Sequence, residues 1–160
     1  LEREHPMTAD LDHHIATCRC GFVRLQAMGR PLVTGACHCV GCRRMTGGPY
    51  SLGAIYPSSA VVVRSGETTS TGADPAAGHQ GCSQCASWVF TRPPGLGDII
   101  VVRSTLFGDA ASYAPFVESF VSEKLPFVGP VAPHGFERFP DPAEFPALIG
   151  AYAEWEHAVP

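Results

Sequence analysis

The stretch ACHCVGCR at residues 36–43 places three cysteines within six residues, and it determines how the rest of the chain is interpreted. Two pairs accompany it, CRC at 18–20 and CSQC at 82–85, and together the three clusters hold all seven cysteines. Thiols one or two residues apart can bind one ion, because a tight turn brings both sulfurs to the roughly 2.3 Å that zinc requires. The clusters therefore predict metal sites.

Disulfide bonds are the first alternative, and they fit this spacing poorly. A bond within Cys18–Cys20 or within Cys37–Cys39 would close a ring too small for relaxed disulfide geometry, and seven is an odd number of cysteines. Bonds between clusters remain possible on spacing alone. We expect reduced thiols that bind metal.

Seven thiols divide most economically into a closed four-thiolate site and a three-thiolate site whose remaining position can meet a substrate. The cysteine triple is the natural three-thiolate set, since its members lie together in sequence. A fourth thiol taken from elsewhere would leave one of the two pairs incomplete. Spacing alone also allows the exchange in which Cys39 and Cys42 join the first pair. The economical division predicts two zinc sites: Cys18, Cys20, Cys82 and Cys85 for the closed site, and Cys37, Cys39 and Cys42 for the open site.

Composition excludes several classes of partner. The net charge is −4 with a pI near 5.9, and the cationic residues are ten arginines and one lysine without runs, so we expect no nucleic-acid partner. No segment is apolar over the length of a membrane span, and no secretory signal precedes the domain, so we expect no membrane partner and a cytoplasmic location. Abundant Arg, Ala, Gly and Pro suggest a bacterial genome rich in GC.

The chain has the size of one domain. Its 17.0 kDa suffices for a real core. We interpret residues 1–10 as an N-terminal extension, with Leu1–Pro6 ahead of Met7 left from cloning, and residues 11–160 as a single zinc-binding domain. The oligomeric state is left undecided.

Short β-prone runs separated by Gly and Pro predict a mainly β, mostly antiparallel domain. Apolar residues at three- and four-residue spacing predict one short C-terminal helix beginning near Glu144, with Pro146 in its first turn. Residues 70–80 are interpreted as an exposed loop. The predicted strands are His14–Thr17, Phe22–Ala27, Leu32–Ala36, Tyr50–Ile55, Val61–Ser65, Ser87–Thr91, Ile99–Arg103 and Phe116–Ser122.

These motifs resemble the glutathione-dependent formaldehyde-activating enzyme (GFA) family, whose domain is shared with centromere protein V. The resemblance rests on CRCG at 18–21, CHCVGCR at 37–43 followed by Thr46-Gly47, and CSQC at 82–85, in register across residues 14–125. Residues 118–127 resemble the strand and Pro-aromatic turn that close the domain. The resemblance implies a β-tent fold of stacked antiparallel sheets, a structural zinc on the two pairs and a catalytic zinc on the triple.

Three departures from the family pattern stand out. Ala86 replaces the usual glycine after the last pair, and Gly81 replaces the usual aromatic residue before it. These positions adjoin the predicted structural zinc without threatening ligation. Residues 126–140, which include His134, match less well, and we expect any difference in specificity there.

The family implies a carbon–sulfur lyase, similar to S-(hydroxymethyl)glutathione synthase, that joins formaldehyde or a related aldehyde to a small thiol such as glutathione. A zinc ion with three thiolates has a net charge of −1 for the whole site. Such a site is better suited to binding a thiol than to polarising a carbonyl. Cys37, Cys39 and Cys42 would then be catalytic. Arg43 and Arg44 follow directly, and they are either binding residues for the carboxylates of an acidic thiol peptide or a solvated pair.

Histidines and aromatic residues also lie near the clusters in sequence. His38, between two ligands, is expected to hydrogen-bond beside the metal, with proton transfer as the alternative. His79 is interpreted as a loop-surface residue, with a spare metal ligand as the alternative. Trp88, Phe90 and Phe107 are expected in the core.

Two further functions remain open at this stage. The first is a zinc-stabilised binding module or a carrier of the thiol adduct, since centromere protein V has a non-enzymatic role and fold does not fix function. The second is a thiol redox switch, which would need a Cys-x-x-Cys in a strand-to-helix context. The sequence names neither the thiol nor the aldehyde.

Overall fold

The computed structural model describes residues 13–160, which form two β-sheets and two α-helices. The strands in chain order are β1 (His13–Thr17), β2 (Arg24–Met28), β3 (Val33–Cys37), β4 (Ser51–Pro57), β5 (Val61–Ser65), β6 (Thr68–Ser70), β7 (His79–Cys82), β8 (Trp88–Thr91), β9 (Ile99–Val102), β10 (Val117–Ser119) and β11 (His134–Gly135). The helices are α1 (Val40–Thr46) and α2 (Phe145–Ala153).

The small sheet has the order β1-β2-β5 and is antiparallel throughout. The large sheet has the order β11-β10-β3-β4-β9-β8-β7-β6, and its pairs are antiparallel except where β10 lies parallel to β3 and to β11. The parallel pairs arise because long connections, not hairpins, lead into β10 and β11. The predicted mainly β fold with two sheets and a short C-terminal helix is confirmed.

Side chains alternate between the two faces of the large sheet, as the pleat requires. In β4, Ala54 and Tyr56 point into the main core, whereas Gly53 and Ile55 line a cavity on the opposite face. The large sheet is therefore buried on one face by the small sheet. Buried members of the main core include Val23, Leu25, Tyr56, Val89, Phe90, Ile100, Val102, Phe107 and Tyr113.

The C-terminal helix covers the other face of the large sheet. Leu148 and Tyr152 of α2 pack against Val33, Phe116 and Val117 in a second core. A turn at residues 142–144, capped by Asp141, leads into the helix, and Pro146 lies in its first turn where no backbone hydrogen bond is lost. The predicted helix start near Glu144 is confirmed.

Four local predictions differ from the structure. Helix α1 was not predicted, because seven residues carry too little apolar periodicity, and residues 70–80 are not all loop, since β7 begins at His79. The last predicted strand shortens to β10, because Phe120 takes a left-handed conformation and ends it. Trp88 is only partly buried and lines the cavity, whereas Phe90 and Phe107 lie in the core as predicted.

The predicted extension at residues 1–10 lies outside the described residues. Within residues 13–160, neither helix has the length and apolar character needed to cross a membrane.

Candidate metal centres and the adjoining cavity

The four-cysteine cluster joins two hairpin turns from different sheets. Cys18 and Cys20 lie in the turn between β1 and β2, and Cys82 and Cys85 lie at the turn between β7 and β8. All four sulfurs lie within 4.8 Å of one another. The Sγ–Sγ distances of 3.6 Å for Cys18–Cys20 and 3.8 Å for Cys20–Cys82 match the edge, about 3.8 Å, of a tetrahedron with Zn–S bonds of about 2.3 Å.

Backbone amides point at these sulfurs. The amide of Val23 donates to Sγ of Cys18 at 3.2 Å, and the amide of Gln84 donates to Sγ of Cys82 at 3.4 Å. Such donors stabilise thiolates and fix their direction. Hydrogen bonds from the hydroxyl and then the amide of Ser87 lower the pKa of Cys85 to about 5. Contacts within the cluster raise the pKa of Cys20 to about 12, so a cation would be needed to ionise all four sulfurs.

The three-cysteine cluster lies where β3 ends and α1 begins. Cys37 is the last residue of β3, Cys39 caps α1, and Cys42 lies in its first turn, so their three sulfurs also meet within 4.8 Å. The Cys42 amide donates to Sγ of Cys39 at 3.3 Å. Among the described residues, no His, Asp, Glu or further Cys completes this group.

Charge is shared within the three-cysteine cluster. Hydrogen bonds from the thiols of Cys37 and then Cys42 lower the pKa of Cys39 to about 2, and the same contact with Cys39 raises the pKa of Cys37 above that of free cysteine. The thiols therefore cannot all ionise without a cation among them. A divalent metal would supply that cation and ionise all three.

The sulfurs thus group as four and three, and the exchange of Cys39 and Cys42 into the first pair is wrong. All seven cysteines are free thiols, which removes the disulfide alternative from this structure. Both clusters fit a soft, tetrahedral metal such as zinc, because each offers only thiols at the right mutual distances.

His38 lies between two of these cysteines and turns away from them. It is fully buried, its Nε2 atom lies 3.3 Å from Oε2 of Glu118, and its ring packs edge-on against Tyr50. Glu118 also accepts hydrogen bonds from Nζ of Lys124 at 2.7 Å and from the amide of Val131 at 2.9 Å. His38 therefore occupies the hydrogen-bonding position expected of it beside the cluster.

A cavity of about 170 Å³ adjoins the three-cysteine cluster. It lies on the face of the large sheet opposite the main core, beneath α2 and the segment that precedes it. Strand residues two apart supply its floor, as the pleat dictates. These floor residues are Val33, Gly35 and Cys37 of β3, Ser51, Gly53 and Ile55 of β4, and Ile99 and Val101 of β9.

The upper wall of this cavity comes from the part of the chain that departs from the family pattern. Phe139 and Pro140 line it, followed by Phe145 and Leu148. Because Cys37 and Cys42 line the same cavity, a ligand held there would lie against the three-cysteine cluster. Sequence reasoning did not foresee the cavity, since its residues come from distant strands.

Arg103 is the cavity residue that the sequence analysis missed as a functional candidate. It is 8% exposed, its guanidinium carbon lies 4.1 Å from the ring centre of Trp88, and its Nε atom has no hydrogen-bond partner within residues 13–160. Burial lowers the pKa of Arg103 to about 10, while attraction to Cys42 and then Cys37 opposes this shift. The side chain is therefore a buried cation at neutral pH.

His79 lies in strand β7 and also lines the cavity, so its interpretation as a loop-surface residue is wrong. Its Nδ1 atom lies 2.8 Å from Oγ1 of Thr91, which also accepts a hydrogen bond from Nε1 of Trp88 at 3.1 Å. Burial and then the charge of Arg103 lower the pKa of His79. His79 is not part of either thiol cluster.

Arg43 and Arg44 lie on α1, outside the cavity lining. The Nε atom of Arg43 donates to the carbonyl of His38 at 3.2 Å, and Arg44 is exposed. Their binding of a substrate carboxylate stays a prediction.

The two sheets, the short C-terminal helix and the two thiol clusters together define a class of protein, a mainly β domain with cysteine clusters able to hold a metal. A family model described as glutathione-dependent formaldehyde-activating enzyme matches residues 13–123. The match spans more than half of the chain, and the chain belongs to this family.

Among solved structures, the chain is similar to the crystal structure of a Rhodobacter sphaeroides protein determined as a structural genomics target. The two are 17% identical, with a TM-score of 0.45, and the similarity covers 76% of this chain and 98% of the other. No curated protein matches the chain.

Proposed function

We propose that the chain is a zinc-dependent carbon–sulfur lyase that joins formaldehyde or a related aldehyde to a small thiol, forming an S-hydroxymethyl adduct. The observation that carries the proposal is the three-cysteine cluster at the wall of a cavity, with no fourth side-chain ligand among the described residues. Cys37, Cys39 and Cys42 would hold the zinc, which when bound would supply the Lewis acidity that lowers the pKa of a substrate thiol.

The chain's own residues hold and orient this site. The ion pair of Lys124 with Glu118, and the contact of Glu118 with His38, fix the turn that carries Cys37 and Cys39. Most of the cavity wall is apolar, and an apolar surrounding strengthens electrostatic interactions within it. A preorganised thiol site of this kind needs little rearrangement to react.

The reaction forms one carbon–sulfur bond and breaks the carbonyl π bond, and the proton that leaves the thiol ends on the aldehyde oxygen. His79 is the titratable cavity residue with one ring nitrogen bonded to Thr91, which leaves the other for proton transfer. Its lowered pKa keeps it neutral at physiological pH, so it can both accept and donate a proton. We assign proton movement to His79.

A Cys39→Ser variant tests the catalytic cluster. We expect zinc content to fall from two ions to one per chain and the rate of adduct formation to fall to the spontaneous rate, measured by magnetisation-exchange NMR with isotope-labelled formaldehyde. Cys85→Ser is the matched variant in the other cluster and is expected to act through stability. Full activity of Cys39→Ser, in folded protein, would overturn the catalytic role of this cluster, whereas a parent protein no faster than the spontaneous reaction would leave a binding module or an adduct carrier as the function.

A further inference from the structure

The Arg103 side chain is a buried cation whose charge is attracted to the thiolates of Cys42 and Cys37, yet no carboxylate pairs with it. None of the ion pairs within residues 13–160 involves its guanidinium, and its Nε atom is buried without a hydrogen-bond partner. Burying an N–H donor without an acceptor is costly, and protein interiors normally provide an acceptor for each buried donor. The stacking on Trp88 satisfies one face of the guanidinium but none of its N–H donors.

The sheet beneath Arg103 is shaped to admit its guanidinium. Gly53 lies directly under it, because a Cβ atom on Gly53 would lie 2.9 Å from Nη2 of Arg103 and 2.7 Å from Cγ1 of Val101. Gly53 is paired across the ladder with Gly35, so both strands are free of side chains here. Glycine at position 53 thus allows the guanidinium to lie flat in the cavity floor.

The remaining cavity lining is largely apolar. Trp88, Leu96, Ile99, Phe139, Phe145 and Leu148 surround the space above the guanidinium. At about 170 Å³ the cavity is smaller than the roughly 300 Å³ at the lower end of typical ligand pockets, so it suits a small ligand. Glutathione carries two carboxylates, an ammonium group and two amides, which is more than Arg103 and the few other polar lining residues, such as His79 and Ser51, can pair in a space of this size.

We propose that this cavity selects a small ligand with one carboxylate and an apolar body, and that Arg103 binds the carboxylate. The inference rests on the proposed function in that such a ligand would be the thiol or the aldehyde that reacts beside Cys37 and Cys42. Arg103 is then a specificity-determining residue, because the guanidinium fork suits a planar carboxylate and the walls reject charged or strongly polar bodies.

The test compares two probes that carry neither thiol nor aldehyde, 3-phenylpropanoate and its uncharged analogue 3-phenylpropanamide. By isothermal titration calorimetry with the zinc-loaded protein, we expect the acid to bind about 10-fold or more tightly than the amide, as a charge-assisted hydrogen bond requires. Equal affinities would overturn the proposal. This comparison uses unaltered protein and does not depend on the folding of a variant.

Two variants test whether Arg103 causes the preference for the acid over the amide. Arg103→Met is expected to remove the preference for the acid and leave amide binding within about 3-fold, whereas the control Arg92→Met, an arginine on the Phe90 ring outside the cavity, should keep it. If the acid instead binds the metal, its advantage would persist in Arg103→Met, and the assignment to Arg103 would be wrong. Failure of the aldehyde–thiol activity would leave these titrations unaffected, so the two proposals fail separately.

Discussion

The Nε2 atom of His38 lies 3.3 Å from Oε2 of Glu118, and both side chains are buried beneath the turn that carries the three-cysteine cluster. Because β10 runs parallel to β3, Glu118 is the register partner of Ala36, next to the first cysteine of that cluster. The contact therefore ties the cluster to the strand that closes the sheet. Lys124 supplies the positive charge that Glu118 needs in this buried position.

Glu118→Gln should destabilise the fold. The amide loses the charge that pairs with Lys124 and leaves that partly buried ammonium group with the carbonyl of Gly129 but no anion, at a cost of about 2–4 kcal/mol in free energy of unfolding. Urea denaturation measures the change. Glu156→Gln, at a glutamate whose side chain is 82% exposed, is the control and should stay within about 0.5 kcal/mol of the parent. Similar values for both variants would contradict the role given to Glu118.

The same carboxylate predicts how stability depends on pH. Burial raises the pKa of Glu118, but Lys124, the Val131 amide and His38 outweigh that effect, and the pKa is lowered from its ordinary value of 4.5. A depressed folded-state pKa means that the stabilisation is complete above 4.5 and is lost as pH falls through the folded-state value. Glu118→Gln should therefore show a shallower loss of stability below pH 4.5 than the parent protein. Parallel stability profiles would contradict this.

Cys85→Ser should remove the closed metal site. Since the four-cysteine cluster joins a hairpin of the small sheet to a hairpin of the large one, its loss should lower the free energy of unfolding by several kcal/mol and bring zinc content to one ion per chain. Cys39→Ser should also bring zinc content to one ion per chain, but with a much smaller loss of stability, because its cluster lies within one local turn. Equal destabilisation by both variants would contradict the distinction between a structural and an open site.

The cysteine spacing was sufficient to predict that the thiols within each motif meet, because residues close in sequence must be close in space. Strands such as β5 were also predictable, since runs of β-branched residues between turn residues favour extended strands over helices. Spacing alone could not exclude that Cys39 and Cys42 join the first cysteine pair. The structure excludes this, because tertiary contacts bring the β1–β2 turn to the β7–β8 turn.

The cavity and Arg103 could not be predicted in the same way. Arg103 follows a β-prone run and looks like any arginine at a strand end, and only the register of β4 against β9 places it above Gly53. His79 was misassigned because the polar stretch before it is typical of a loop. Residues that act through long-range pairing leave no local pattern in a single sequence.

Ala86→Gly should stabilise the protein. Ala86 has a φ of 59°, in the left-handed region that costs an L-residue about 1–2 kcal/mol, and the family pattern has glycine at this position. After the greater chain entropy of glycine is subtracted, a gain of about 0.5–1 kcal/mol remains. Ala151→Gly, at an exposed position in α2, is the matched change and should lose about 0.5–1 kcal/mol. Thermal denaturation of both variants should show a higher Tm for Ala86→Gly and a lower Tm for Ala151→Gly.

His79→Gln should slow adduct formation by about 100-fold or more, the usual loss when a proton-transfer group is removed. Glutamine keeps a hydrogen bond to Thr91 and so preserves the cavity wall, but it cannot move a proton at neutral pH. The lowered pKa of His79 also predicts how the rate depends on pH. The parent rate should fall only below pH 6.5, where the imidazole becomes charged, and the variant should lack this decline. An unchanged rate in the variant would assign proton transfer to solvent.

Gly53→Ala should disturb the cavity floor more than any nearby glycine substitution. The new Cβ atom would meet Val101 and the Arg103 guanidinium at distances that require both side chains to move, and β4 has little room to shift because it is paired on both edges. We expect a loss of about 1–3 kcal/mol in free energy of unfolding together with a weaker preference for 3-phenylpropanoate over its amide. Gly48→Ala, where the nearest atoms would be 3.8 Å from the added Cβ, is the control and should change neither quantity. If Gly53→Ala retains both parental stability and the parental preference, then the close approach of Arg103 to this strand does not determine ligand binding.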